Sequence, residues 1–143
     1  MKKKTRKKFD RYNSFSDPVS FVPRNIIAQG LVVRWVVLQI LEGVFYEKRT
    51  LLDLTTDRKH PFSHLKVQEK ARALSLTDTV LRNLNGLDEI IECYVRKKTN
   101  SKVINILRLA LAEMALDNVP AHAVVDSAVR LCKIEKQIRF MSS

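Results

Sequence analysis

Glycine is scarce in this chain, with three in 143 residues at Gly30, Gly43 and Gly86. Proline is nearly as rare, with four. Both fall mostly between periodic segments, which disfavours a many-turned β architecture and favours long helices. There are two cysteines, Cys93 and Cys132, far apart in sequence. That excludes a disulfide scaffold, and their places in the apolar pattern predict reduced, buried thiols of a cytoplasmic protein. No apolar run reaches the length of a membrane span, and the N-terminus has no signal-peptide core. Catalytic signatures are missing as well. None of the three glycines sits in a phosphate-cradling turn, and no nucleophile–base constellation stands out. His60 and His64 lack the further ligands a metal needs. His122, Asp126 and Arg130 are spaced four apart, but such spacing is routine on an exposed helix face. The chain reads as a binding module, with no catalytic residue, no metal and no cofactor of its own.

Acidic residues are outnumbered. The 15 Asp and Glu face 26 Lys and Arg, for a net charge of +11. Seven of those cations lie in residues 2–11: Lys2, Lys3, Lys4, Arg6, Lys7, Lys8 and Arg11, against one acid, Asp10. Residues 1–22 carry no helical or strand period, and are expected to be a flexible basic tail. Phe9, Tyr12 and Phe15 recur three apart within it, a spacing suited to stacking on exposed bases. The balance points to a polyanion, most simply nucleic acid, or to an acidic membrane surface; of these, RNA is the expected partner and a membrane is not.

The rest of the chain, residues 23–143, is 3.6-periodic and predicts an all-α domain of about six helices. The first is expected to run unbroken from Pro23 or Asn25 to Gly43, burying Ile26, Val33, Val37, Leu38, Ile40 and Leu41. A short helix starts at Thr50, and a loop follows over residues 55–63. The next helix spans Lys66–Leu84, with Asn85-Gly86 as its stop signal. Leu87–Val95 predicts an amphipathic helix with Leu87, Ile90, Ile91, Tyr94 and Val95 on the buried side. Arg96-Lys97-Lys98 makes a basic loop. Ser101–Leu116 is the central helix, its apolar coat of Val103, Ile104, Ile106, Leu107, Ala110, Leu111, Met114 and Ala115 broken only by Lys102, Asn105, Arg108 and Glu113; Pro120 opens another that is expected to end near Lys133 and whose apolar face holds Ala121, Val124, Val125, Ala128, Val129, Leu131 and Cys132.

Residues 107–133, LRLALAEMALDNVPAHAVVDSAVRLCK, and residues 70–91, KARALSLTDTVLRNLNGLDEII, resemble NusB-like domains. The likeness is to the form found at the N-terminus of bacterial 16S rRNA cytosine-C5 methyltransferases of the Sun/Fmu type, whose pattern carries the Pro-Ala-His-Ala string of residues 120–123. The family's Asp-Arg ahead of the third helix is replaced by Glu69, Lys70, Ala71 and Arg72. The resemblance implies a NusB-like helical bundle that binds ribosomal RNA. It implies the accessory domain of a methyltransferase; the alternative is a stand-alone antitermination factor that pairs with RNA and a ribosomal protein. S-adenosylmethionine would enter only with a downstream catalytic domain. In the family the arginine-rich start of the first helix belongs to the RNA surface, which here leaves Arg24 and Arg34; the basic loop adds Arg96, Lys97 and Lys98. The resemblance also implies a further closing helix after Arg139-Phe140-Met141-Ser142-Ser143. Without it, an apolar groove beside the central helix would be open to self-association, to that segment or to a partner helix.

Overall fold

The computed structural model describes residues 22–142, and all regular structure among them is helical. Seven α-helices follow in order: α1 (Arg24–Ala28), α2 (Val32–Phe45), α3 (Leu51–Thr56), α4 (Val67–Arg82), α5 (Leu84–Tyr94), α6 (Ser101–Ala115) and α7 (Ala121–Ser142). A 3-10 turn, Pro61–His64, lies between α3 and α4. The chain divides within α4 into two compact units, one up to Ala73 and one from Leu74. Val22, which the sequence places in the tail, is fully buried.

In the first unit, the expected single helix is two. Gly30 takes φ +69, a left-handed conformation that glycine adopts without steric cost. The Gly30 amide donates to the Ile27 carbonyl (3.2 Å) and the Leu31 amide to that of Ile26 (3.0 Å). This is a Schellman closure, and Ile26 and Leu31, both buried, supply its apolar clasp. After the break α2 is covered nearly all round: Val32, Trp35, Val36, Val37, Leu38, Ile40, Leu41 and Gly43 are buried, whereas Val33 is only partly so. Thr50 caps α3, its Oγ1 accepting from the Asp53 amide at 3.0 Å. Gly43 lets α3 come close, since a Cβ there would lie 2.6 Å from Leu54 Cδ2.

His60 caps the 3-10 turn, its Nδ1 accepting from the Phe62 amide at 3.1 Å. The ring is buried, which lowers its pKa; the Gln39 carbonyl opposes that shift. Nearby, Asp57 receives the Lys59 amide (2.9 Å) and the Arg49 guanidinium (2.9 Å), and both hold its carboxyl below the usual range. His60 is thus the cap of this turn and His64 its last residue. Among the described residues there is no group of three potential metal ligands.

α4 buries Ala73, Leu76, Thr77 and Val80 along one stripe. Glu69 reaches back to the Lys66 amide (2.9 Å) and satisfies the helix start. The helix stops at Asn83, not at Asn85-Gly86. Asn83 leaves helical geometry (φ −112, ψ 18) while its side chain donates to the Thr79 carbonyl at 2.8 Å. Gly86 lies inside α5 without a positive φ.

The second unit is built on α5, α6 and α7, with α6 packed on both neighbours. Arg108 of α6 forks onto Asp88 of α5 at 2.7 and 3.1 Å, and its third nitrogen donates to Asn105 Oδ1 at 2.8 Å. Asn105 and Glu113, expected to interrupt the apolar coat, are instead buried beside Ile106, Leu109 and Ala112. Residues 116–120 turn the chain: Asn118 takes φ 57 and the Val119 amide reaches the Glu113 carbonyl at 3.0 Å. Pro120 then opens α7 as expected, accepting from the amides of Ala123 and Val124 at 3.1 Å. α7 does not end near Lys133 but continues without a break to Ser142. It buries Val124, Leu131, Ile134 and Glu135.

Candidate nucleic-acid interface

The second unit sorts its charges by the direction of its helices. α5 and α6 are joined by a six-residue loop, and the Asp88–Arg108 fork fixes them antiparallel. α6 and α7 are also antiparallel, because Lys102 near the start of α6 pairs with Glu135 late in α7 at 3.5 Å. The C-terminal end of α5, the loop, the N-terminal end of α6 and the last turns of α7 therefore share one end of the unit. That end gathers Arg96, Lys97 and Lys98 from the loop, Lys102 from α6, and Lys136 and Arg139 from α7.

Arg96, Lys97 and Lys98 are exposed, and among the described residues no carboxylate pairs with them. Asn100 caps α6, accepting from the Lys102 amide at 2.8 Å, so a helix start with its partial positive charge faces the same end. Two aromatics stand out there. Tyr94 is 83% exposed and Phe140 is 72% exposed, with Lys136 Nζ 5.9 Å from the Phe140 ring centre. Cations interleaved with open aromatic faces can hold phosphates while bases stack.

Of the sequence-predicted contacts, Arg96, Lys97 and Lys98 belong to this end. Arg24 is exposed on α1, and Arg34 is half-buried on α2; both belong to the first unit. Lys2, Lys3, Lys4, Arg6, Lys7, Lys8 and Arg11 lie outside the described residues. Lys136, Arg139 and Phe140 are not among the sequence-predicted contacts, because the helical pattern expected from the sequence ends near Lys133 whereas α7 continues to Ser142. Tyr94, expected on the buried side, is exposed: α5 buries only Leu87 and Ile91, while Ile90 is 43% exposed. The signal for the missed residues was the unbroken Lys133–Phe140 stretch, which holds no proline or glycine.

Asp126 and Arg130 pair on the open face of α7 at 3.1 Å, and His122 is exposed. Cys93 is exposed, contrary to expectation, and Cys132 is half-buried; both are free thiols. Burial and nearby Glu135 push the Cys132 pKa up, away from a reactive thiolate. No described helix is long and apolar enough to cross a membrane.

Residues 32–140 match the NusB family, which takes in α2 to α7 and the whole basic end apart from the last residues of α7. No curated protein and no solved structure matches the chain.

Proposed function

Because this chain belongs to the NusB family, whose domains bind RNA, we propose that it holds single-stranded ribosomal RNA against the basic, aromatic end of the second unit. The carrying observation is the convergence there of Arg96, Lys97 and Lys98 with exposed Tyr94 and Phe140. Lysine and arginine supply affinity by releasing counterions, and the rings supply stacking. The cations of residues 2–11 add a second, largely sequence-independent contribution.

The resemblance of residues 70–91 and 107–133 favours the setting of an accessory domain of an rRNA cytosine-C5 methyltransferase. On this reading the chain alone binds no S-adenosylmethionine, and calorimetric titration with the cofactor should give no saturable heat. Sequencing the gene past Ser143 tests the setting. A continuing frame with a strand followed by a glycine-rich turn supports it, and a stop codon favours a stand-alone antitermination factor.

RNA binding itself is tested by fluorescence anisotropy on a single-stranded oligonucleotide across a salt series. Each neutralised phosphate contributes about −0.7 to the log–log slope. Deleting residues 1–11 should reduce the slope magnitude by roughly 2 to 3.5 if three to five phosphates are released. Replacing Arg96, Lys97 and Lys98 together by Gln should reduce it by a further ~2. A triple variant that binds as tightly, with the parent slope, rules out this end.

A further inference from the structure

A second surface of the same unit differs from the basic end in chemistry. Between α6 and α7 runs an open groove of about 460 Å³. Its walls are Leu107, Leu111 and Met114 on one side, and Val125, Val129 and Cys132 on the other. Leu107, Leu111 and Met114 recur at helical spacing and are only half-buried, although the sequence placed them on the apolar face of the central helix. Val125 and Val129 are 53% and 46% exposed. A row of β-branched and long aliphatic side chains left to water at this spacing is suited to receive another helix.

Among the described residues, the only charged groups lining the groove are Lys133 and Lys136, one turn apart on α7 at one end. No acid joins them. From Val125 to Lys136 the α7 wall spans about 16 Å, the length of three helical turns, at ~1.5 Å per residue. We propose that this groove binds an amphipathic helix of about three turns from a partner protein, with an aliphatic face for the groove and Asp or Glu at the flank that meets Lys133 and Lys136. Charge selects this occupant. A second copy of this chain carries a net charge of +11, and its residues 2–11 hold seven cations to one acid, so net charge disfavours both beside the two lysines. RNA suits the exposed cations of the neighbouring end and not an aliphatic trough.

The two cysteines make the groove readable in the full chain. Cys132 lines it, and Cys93 lies exposed on α5, outside it. The probe is a 14-residue capped helical peptide with leucines at i, i+3, i+4 and i+7 and glutamates along one flank. The rates of maleimide attachment at each thiol are followed by mass spectrometry as peptide is added. The expected result is at least a ten-fold slowing at Cys132 on saturation, with Cys93 unchanged. A peptide of the same leucines with lysine flanks should bind at least ten-fold more weakly. The Lys133→Glu/Lys136→Glu variant should reverse that preference, which separates charge recognition from misfolding. The proposal is overturned if Cys132 keeps its free rate at saturating peptide, or if both peptides protect it equally. It is also overturned if the free protein sediments as a dimer with Cys132 already shielded, or if deleting residues 1–21 exposes Cys132 that was closed before.

Discussion

His60 couples the stability of the first unit to pH. Its ring is buried and its pKa lies below the ordinary 6.5, so the folded state holds it neutral, with Nδ1 free to accept from the Phe62 amide. A base whose folded pKa is depressed binds fewer protons folded than unfolded between the two values. Its contribution is therefore complete above pH 6.5 and is lost as the pH falls toward the folded value. The urea midpoint should fall between pH 7 and pH 5. In His60→Asn, which keeps a capping acceptor but no titrating ring, that part of the fall should disappear. Asp57 acts in the same direction at lower pH: its contribution is complete above 3.8 and fades as the pH drops through its lowered pKa. At Arg108 the question is geometry. The guanidinium is largely covered and ties Asp88 to Asn105 across two helices. Asp88→Ala should cost about 1–2 kcal/mol by urea denaturation, the moderate figure reflecting a carboxylate that is one-third exposed.

At the scale of the helix, two glycines predict opposite outcomes. Gly86 sits inside α5 with no positive φ, and a Cβ added there would meet nothing within 4 Å. Gly86→Ala should raise stability by about 0.5–1 kcal/mol, because alanine loses less chain entropy in a helix. Gly43 lies under Leu54, where an added Cβ would come within 3.0 Å of two methyl carbons of a leucine that is itself fully buried. Gly43→Ala should cost about 1–3 kcal/mol by overpacking. Thermal melts of the two variants check both signs. The same pair shows what the sequence made legible. Helical periodicity and the Asn118-Val119-Pro120 joint located α6 and the start of α7, and Thr50 marked the cap of α3. The failures lay with glycine and asparagine. Gly30 ends α1 because its backbone is left-handed, whereas Asn85-Gly86 carries the same signal on paper and continues as helix because Asn83 has already broken the chain. Residue type gives permission for a turn; hydrogen bonding decides where it is used.

Across the second unit, the basic loop Arg96-Lys97-Lys98 was visible as a run of cations, but its company was not. Lys136, Arg139 and Phe140 join it only because α7 continues past Lys133 and lies antiparallel to α6, a consequence of packing that the Lys102–Glu135 pair records. Tyr94 fits the apolar pattern of α5, yet α6 covers the helix from the Leu87, Asp88 and Ile91 side and leaves the ring in water. The unit thus offers two surfaces of unlike character, a cationic and aromatic end and an aliphatic groove flanked by two lysines. Lys136 lies where they meet. Tyr94→Ala and Phe140→Ala should each weaken single-strand binding by about 1–3 kcal/mol per stacked base and leave the salt slope unchanged, as measured by anisotropy.

RNA photocrosslinking with peptide mapping tests the central claim most directly. A single-stranded RNA carrying 4-thiouridine is irradiated on the full chain, and the modified peptides are identified by mass spectrometry. The account predicts crosslinks within residues 94–98 and 136–141, together with the basic residues 2–11, and loss of the body crosslinks when Arg96, Lys97 and Lys98 are replaced by Gln. Crosslinks confined to α1 and α2, around Arg24 and Arg34, with none in residues 94–98 or 136–141, would contradict it.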